Sequence, residues 1–156
     1  MNINKAANDE MKRVSPPTIV EVVLEVNSSD KFGIVLVREK KEEYFWRLPG
    51  GLQQPHETIE GAVRRCVHEQ TGLVIGQFRD QLSACTRPHH EYGLANYVAC
   101  NVWVRGDPCS SDAYESGLFD FYHDTLPPLH VDTRERIREF KEFERNVRYA
   151  GYNDGH

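Results

Sequence analysis

Apolar and β-branched residues form short runs separated by turn residues in the first part of the chain, as is typical of strands. Thr18–Val26 (TIVEVVLEV) and Phe32–Val37 are two such runs, and the segment Asn27–Asp30 between them has turn chemistry. This pattern predicts a hairpin. Further along, Asn96–Val104 (NYVACNVWV) has apolar residues at both its odd and its even positions, so both faces of a strand there would be apolar. This predicts a central strand that is covered on two sides.

Two segments have the periodicity of amphipathic helices. Thr58–Thr71 begins with a residue suited to an N-cap and is followed by Gly72, a typical helix stop. Asp132–Arg148 is rich in Arg and Glu and also has apolar residues at helical spacing. The apolar positions are Ile59, Ala62, Val63, Cys66 and Val67 in the first segment and Ile137, Phe140, Phe143 and Val147 in the second.

Weaker signals lie between these elements. Leu73–Phe78 and Leu82–Thr86 are short strand candidates, and the polar segment Arg87–Gly93 that follows them is predicted to be a hinge. Gly106–Gly117 is predicted to be a loop, followed by a mixed stretch at Leu118–Leu126. Strands come first, then a helix, strands and a helix, without regular βαβ alternation. This order predicts an α+β fold in which helices flank a mixed sheet.

The chain has 156 residues, a length that fits one domain. Residues 1–17 are polar and end in Ser15-Pro16-Pro17, so we expect an N-terminal arm there. We expect a single domain over residues 18–150 and a C-terminal tail over residues 151–156. The sequence contains no internal repeats and no low-complexity segment.

The charge balance narrows the classes of function. Lys and Arg number 19 against 24 Asp and Glu, which gives a net charge of -5 and argues against a non-specific nucleic-acid binder. No apolar run is long enough for a membrane span, and residues 1–17 lack the basic-then-apolar pattern of a secretory signal, so we expect neither feature in this sequence. The four cysteines form no CxxC pair, so we expect a reduced, cytoplasmic protein. An acidic protein that handles phosphates needs a metal ion or a few placed Arg residues.

The most informative segment is Trp46–Leu73, with the sequence WRLPGGLQQPHETIEGAVRRCVHEQTGL. A glycine-rich strand end leads into a loop and then into a helix. Side chains three and four residues apart share one face of a helix, which is a way to collect metal ligands. Cys66, Glu69 and Gln70 occupy such positions.

This segment resembles the signature of the Nudix hydrolases, in which Gly is followed after five residues by Glu. Seven residues later the signature continues with Arg-Glu-aliphatic-any-Glu-Glu-any-Gly-aliphatic, and the spacing is kept throughout this chain. Cys66 and Gln70 stand where the family has Glu, so the signature is degenerate. The matching positions of the Nudix box are Gly51, Glu57, Arg65, Glu69 and Gly72.

The resemblance implies a mixed sheet between helices and hydrolysis of a nucleoside diphosphate linked to another group, with Mg²⁺ or Mn²⁺. It implies that Glu69 and Arg65 are the catalytic residues, and that the backbone oxygen of Gly50 is a metal ligand. Because box carboxylates are replaced, the ion is expected to be weakly held. The implied metal ligands are Gly50, Glu69, Gln70 and, as a carboxylate recruited from outside the box, Glu115.

Four basic residues are candidates for binding substrate. Arg38 is similar in placement to an Arg that family members use on phosphate. His89 and His90 lie on a polar segment before the central strand, where binding groups are often found, and Arg87 precedes them. A His there can act as a base or bind phosphate when protonated. The ordinary alternative for each is an exposed polar residue.

Three functions stay open. The first is metal-dependent hydrolysis of a nucleotide sugar or an ADP-ribose-like compound. The matching box positions, here called the frame of the box, favour this function; they are Gly51, Glu57, Arg65, Glu69 and Gly72. The second is a catalytically impaired module that binds or senses a nucleotide, which the replacements at Cys66 and Gln70 favour. The third is an enzyme like the GDP-mannose mannosyl hydrolases, which attack the sugar carbon but keep the last Glu of the box. The expected partner is a small nucleotide derivative, and a homodimer stays an open alternative.

Overall fold

The computed structural model describes residues 15–27, 32–120 and 126–154. Most of the predicted N-terminal arm, residues 1–14, lies outside these ranges. Residues 121–125 of the predicted mixed stretch and residues 155–156 of the predicted tail also lie outside them.

One mixed sheet contains the six strands of the described part of the chain. They are β1 (Thr18–Asn27), β2 (Phe32–Glu39), β3 (Gly50–Leu52), β4 (Gln77–His89), β5 (Gly93–Arg105) and β6 (Tyr114–Phe119). The strand order is β4-β5-β1-β2-β6, and β3 pairs with the first residues of β1. β1 runs parallel to β5 and antiparallel to β2, which confirms the predicted hairpin. β5 lies between β4 and β1, so the predicted central strand is confirmed as well.

Two helices in the described ranges cover opposite faces of this sheet: α1 (Ile59–Thr71) and α2 (Val131–Asp154). Successive strand residues point to opposite faces. Val22 therefore belongs to the core cluster under α1, and Val23 belongs to the cluster that contains Phe140 of α2. The predicted α+β sandwich with a mixed sheet between helices is confirmed. No helix in the described ranges combines the length and the apolar character needed to cross a membrane.

Helix α1 has the boundaries that its sequence predicts. The hydroxyl of Thr58 accepts a hydrogen bond from the Gly61 amide at 2.9 Å, which satisfies one of the free N–H groups of the first turn. At the other end Gly72 adopts a φ of 74° and donates its N–H to the His68 carbonyl. This left-handed conformation strains any residue with a Cβ, so the closing glycine of the box ends the helix.

The predictions for β4 and the hinge after it were wrong. Two short strands were expected at Leu73–Phe78 and Leu82–Thr86, but one 13-residue strand runs from Gln77 to His89 and is irregular near Phe78 and Ser83. The expected hinge Arg87–Gly93 is mostly strand, because its backbone continues the antiparallel ladder with β5. Polar residues are tolerated in β4 because it is an edge strand of the sheet.

Two further boundaries differ from the predictions. The expected loop Gly106–Gly117 includes the start of β6, whose backbone pairs with β2 from Tyr114 onward. Ser and Gly give this segment a low strand propensity, and the open backbone groups of β2 outweigh it. The second helix was predicted to span Asp132–Arg148, but α2 starts at Val131 and continues to Asp154.

Candidate functional site

The residues Leu48–Leu52, here called the Gly50 turn, are pressed against β1. The Val22 amide donates to the Pro49 carbonyl at 2.8 Å, and Gly50 lies opposite Glu21 in the β1–β3 ladder. A Cβ atom on Gly50 would lie 2.0 Å from the Val20 carbonyl oxygen. Only glycine therefore allows the turn to approach β1 so closely.

The backbone of Gly50 is held from helix α1 by the side chain of Gln70. The Gly50 amide donates to Gln70 Oε1 at 3.0 Å, and Gln70 Nε2 donates to the Gly50 carbonyl at 2.8 Å. The N–H of Gly50 needs an acceptor, so the oxygen of the side-chain amide must face it and the nitrogen must face the carbonyl. Gln70 is only 5% exposed. Both buried polar groups of Gly50 are thus satisfied by one neutral side chain.

Arg47 lies beside this pair of hydrogen bonds. Its Nη1 is 3.2 Å from the Leu48 carbonyl oxygen and 3.5 Å from both the Gly50 carbonyl oxygen and Gln70 Oε1. Its Nε donates to both carboxylate oxygens of Glu43 at 3.1 Å. Its Nη2 makes no hydrogen bond to any residue of the described ranges. A guanidinium that is ion-paired with Glu43 therefore lies at the carbonyl oxygens of the Gly50 turn.

The loop between β3 and α1 is fixed by Arg65. Its guanidinium donates to both carboxylate oxygens of Glu57, at 2.9 and 3.0 Å, and to the Leu52 carbonyl at 2.9 Å. The hydrogen bonds from Arg65 and from the Gln54 amide lower the pKa of Glu57. The hydrogen bond to Glu57 in turn raises the pKa of Arg65. Glu69 is 3.5 Å from Arg65 and its side chain is 55% exposed. Of the box carboxylates, Glu57 is committed to the loop and Glu69 faces solvent.

Cys66 occupies the part of α1 under the Gly50 turn. It is 1% exposed, and a Cβ atom on Gly51 would lie 3.5 Å from its Sγ. Burial raises the pKa of the Cys66 thiol, and the nearby Arg65 only partly opposes this. Since an unperturbed thiol already titrates above pH 8, Cys66 is neutral at pH 7. It supplies no anionic ligand, in agreement with its prediction as a core residue.

The implied divalent ion does not fit the donors found here. Mg²⁺ requires a near-octahedral set of oxygen ligands. The Gly50 carbonyl and the Gln70 oxygen bind each other's amide groups, and Arg47 places a positive charge beside both. Glu57 is bound by Arg65. Within residues 15–27, 32–120 and 126–154, no three His, Cys, Asp or Glu side chains come together as a metal site.

An open cavity of about 780 Å³ lies next to the Gly50 turn. It brings together three of the predicted positions, the Gly50 backbone and the side chains of His89 and His90. The two imidazole rings stack with their centroids 4.5 Å apart. A second cavity of about 710 Å³, lined by Glu25 and Phe140 among others, lies away from the box. The cavity at the Gly50 turn, here called the turn cavity, is therefore the candidate binding site.

Glu21, Tyr97 and Asp132 line the turn cavity, and Arg87, which is not among the lining residues, contacts all three; these four residues are here called the Arg87 cluster. Arg87 Nη2 lies 2.6 Å from a carboxylate oxygen of Glu21, and Nη1 lies 3.5 Å from Asp132. Its guanidinium stacks over the Tyr97 ring at 3.8 Å. Burial raises the pKa of Glu21 above its ordinary value, while Arg87 opposes the rise. Arg87, predicted to bind substrate, is thus engaged by two carboxylates of its own chain.

Arg38 and Glu115, predicted for phosphate and metal, form a pair on neighbouring strands. Arg38 Nε lies 3.0 Å from Glu115, and the guanidinium lies over the Trp46 ring at 4.8 Å. Among the described residues, neither of the two lines the turn cavity. Their predicted roles stay predictions, as do those of Glu69 and Arg65.

Sequence reasoning missed the residues that reach the turn cavity through tertiary contacts, by strand pairing or by the position of α2. Glu21 faces it because β1 pairs with β3, and Thr133 faces it because the start of α2 lies beside Leu48. The sequence around Glu21 and around Thr133 contains no motif that indicates a position at the cavity. Arg47 did carry one, since it lies inside the Trp-Arg-Leu-Pro-Gly-Gly stretch that precedes the box.

A NUDIX domain model matches residues 16–109, more than half of the chain. No curated protein matches it. The NUDIX domain of Shewanella oneidensis NrtR, solved with ADP ribose, has a TM-score of 0.68 at 18% identity, covering 91% of this chain and 98% of that one.

Two further solved structures are similar in fold. A UDP-X diphosphatase has a TM-score of 0.63 at 17% identity, covering 92% of this chain and 73% of its own. An ADP-ribose pyrophosphatase from Streptococcus suis has a TM-score of 0.62 at 22% identity, covering 84% and 93%. At these identities the structures establish the fold, and the family model establishes the family. As the residues from Gly51 to Leu73 predicted, the chain belongs to the NUDIX domain family and is a member of the Nudix hydrolases.

Proposed function

We propose that this protein takes a nucleoside diphosphate linked to another moiety, a nucleotide sugar or an ADP-ribose-like compound, in the turn cavity and hydrolyses it. The observation that carries the proposal is the intact frame of the box beside that cavity. Arg65 binds Glu57 and the Leu52 carbonyl, and this arrangement holds the Gly50 turn at the cavity wall. The cavity volume is in the range that holds small-molecule ligands.

Glu69 does not itself line the turn cavity, and it is the proposed group that activates water for a substrate that extends from the cavity toward α1. Its carboxylate is exposed, lies 3.5 Å from Arg65, and is not tied to the loop as Glu57 is. The guanidinium of Arg65 is in turn held by Glu57, so it can orient Glu69 without moving. A positioned general base contributes roughly 10²–10⁴-fold to a rate.

A second candidate function is binding without turnover. The observation that favours it is the mutual hydrogen bonding of Gly50 and Gln70, which occupies two of the oxygen donors that the resemblance implies for a metal ion. The two candidates share the turn cavity and the nucleotide, and they differ in whether product forms.

The test compares wild type with Glu69→Gln on a panel of nucleotide sugars, ADP-ribose and dinucleotides. Assays contain Mg²⁺ or Mn²⁺, because the family resemblance implies a divalent ion. We expect turnover by wild type to fall at least about a hundredfold in Glu69→Gln, while calorimetry shows the same affinity for the nucleotide. Glu60→Gln is the matched control, since Glu60 lies on the same helix, is exposed, and pairs with Arg64 four residues on.

The outcomes separate the candidates. Turnover that survives Glu69→Gln would overturn the role of Glu69, and saturable binding without product would establish the binding module. Reaction in water labelled with ¹⁸O distinguishes attack on phosphorus from attack on the sugar carbon. The label enters the phosphate in the first case and the released sugar in the second, as for an enzyme like the GDP-mannose mannosyl hydrolases.

A further inference from the structure

The Gly50 carbonyl is the one backbone ligand that the family resemblance implies for a metal ion, and in this chain it already accepts hydrogen bonds from a neutral amide and a guanidinium. Gln70 Nε2 donates to it at 2.8 Å, and Arg47 Nη1 lies 3.5 Å away. A divalent cation bound to this oxygen would have to displace the amide and approach the guanidinium. Both steps are unfavourable, since the amide is buried and the guanidinium carries a full charge.

The hydrogen bonds of Gln70 have a fixed polarity. Its oxygen accepts from the Gly50 N–H, so its nitrogen is the atom presented to the Gly50 carbonyl. A glutamate at position 70 would present a second oxygen to that carbonyl. Two acceptors within hydrogen-bond distance repel each other unless a cation lies between them. An amide at this position therefore satisfies both Gly50 backbone groups directly, whereas a carboxylate requires a cation between its oxygen and the Gly50 carbonyl.

We infer that Gln70 and Arg47 take the place of a divalent ion at the Gly50 turn, so that α1 holds no metal and Arg47 presents the positive charge to a diphosphate in the turn cavity. The second half of this inference rests on the proposed function of that cavity. Arg47 lines the cavity together with Glu39, Glu42 and Glu43. Its hydrogen bonds within the described ranges use Nε and Nη1 and not Nη2. Glu43 engages only Nε, so the outer edge of the guanidinium remains open to a phosphate oxygen.

The metal half is tested without any nucleotide. Isothermal titration and electron paramagnetic resonance measure Mn²⁺ binding to wild type, Gln70→Glu and Gln70→Leu. Gln81→Glu is the control, because it adds the same charge at an exposed position of β4. We expect Gln70→Glu to bind Mn²⁺ at least about tenfold more tightly than wild type and Gln81→Glu, and to be stabilised by Mn²⁺ against heat. Saturable Mn²⁺ binding by wild type that disappears in Gln70→Leu would overturn the inference, as would a Gln70→Glu protein with no gain.

The nucleotide half is tested with ADP-ribose by calorimetry, in EDTA and in Mg²⁺. We expect the same dissociation constant in both, a loss of about tenfold or more in Arg47→Met, and partial recovery in Arg47→Lys, which keeps the charge but not the planar fork. Arg105→Met is the control, since Arg105 is an exposed residue at the end of β5. Near-ultraviolet circular dichroism verifies that each variant is folded.

Binding that requires Mg²⁺, or that is unchanged in Arg47→Met, would overturn this half. A wild-type protein that binds no nucleotide overturns the proposed function and the nucleotide half with it. The Mn²⁺ titration decides the metal half in either case, because it contains no nucleotide.

Discussion

Two groups of residues, the Gly50 turn and the Arg87 cluster, contribute lining residues to the same cavity and are held together by different forces. At the Gly50 turn the backbone of Gly50 is satisfied by a neutral amide, that of Gln70. In the Arg87 cluster one guanidinium binds Glu21 at 2.6 Å and Asp132 at 3.5 Å. The two groups are adjacent, because Glu21 is the ladder partner of Gly50.

The difference shows how each side of the cavity responds to its surroundings. Neutral hydrogen bonds do not titrate, so the Gly50 turn keeps its geometry over a wide pH range. A buried carboxylate needs its counter-charge, so the Arg87 cluster depends on the ionisation of Glu21. The Gly50 turn is thus a fixed wall of the cavity, whose hydrogen bonds do not change with pH. The Arg87 cluster is held by an ion pair that does change with pH.

The largest effect is expected from removing the shared cation of the cluster. Arg87→Met leaves the mostly buried carboxylate of Glu21 without its ion-pair partner and with only Arg136 to oppose its charge, and we expect the free energy of unfolding to fall by about 3 kcal/mol at pH 7. Burial already raises the pKa of Glu21, and loss of Arg87 raises it further. Stability of the variant should therefore fall as pH rises through that pKa. Urea unfolding at pH 4 and pH 7 measures the difference.

The control for this prediction removes the carboxylate as well. In Glu21→Gln with Arg87→Met no buried charge remains at that position, so the loss at pH 7 should be smaller than in Arg87→Met alone. Arg136 and Asp132 of α2 also act on the ionisation of Glu21 and are unchanged in both variants. An equal loss at pH 4 and pH 7 would show that Arg87 acts by packing on Tyr97 rather than by charge.

An intermediate and pH-independent effect is expected at the Gly50 turn. Gln70→Leu preserves most of the side-chain volume but leaves the Gly50 amide unsatisfied and its carbonyl with only the longer Arg47 contact. We expect the free energy of unfolding to fall by about 2 kcal/mol, equally at pH 5 and pH 8. Chemical unfolding at both pH values tests this, with the exposed Gln81→Leu as a control expected to stay within about 0.5 kcal/mol of wild type. A loss that varies with pH would place a titrating group in the turn.

The fold was predictable where the signals are local. Helix α1 carries its N-cap at Thr58, its apolar arc and its stop at Gly72 within 15 residues of sequence, and all three are found in the structure. β6 and the full length of β4 were not predictable, because their strands are defined by pairing with β2 and β5 across many residues. Local propensity is a weak guide where a neighbouring strand supplies the hydrogen bonds.

The site was predictable in its frame and not in its contacts. The apolar arc of α1 correctly predicted Cys66 as a core residue, and the resemblance implied Gly50 and Gln70 for one metal site. It did not indicate that the amide of Gln70 binds Gly50 in both directions, a contact between residues 20 apart that depends on how β3 lies on β1. The positions of Glu21 and Arg47 at the cavity depend on the same packing.

The smallest effect is expected where α2 touches the Gly50 turn. The Leu48 amide donates to Thr133 Oγ1 at 3.3 Å, and Thr133 is 2% exposed. Thr133→Val keeps the shape of the side chain and removes the acceptor, so we expect a loss of about 1 kcal/mol. Amide hydrogen exchange should become faster at Leu48 and stay unchanged at Gly50, whose acceptor is Gln70. Faster exchange at both amides would mean that α2 and α1 hold the turn as one unit rather than separately, and would remove the distinction between the fixed wall and its neighbours.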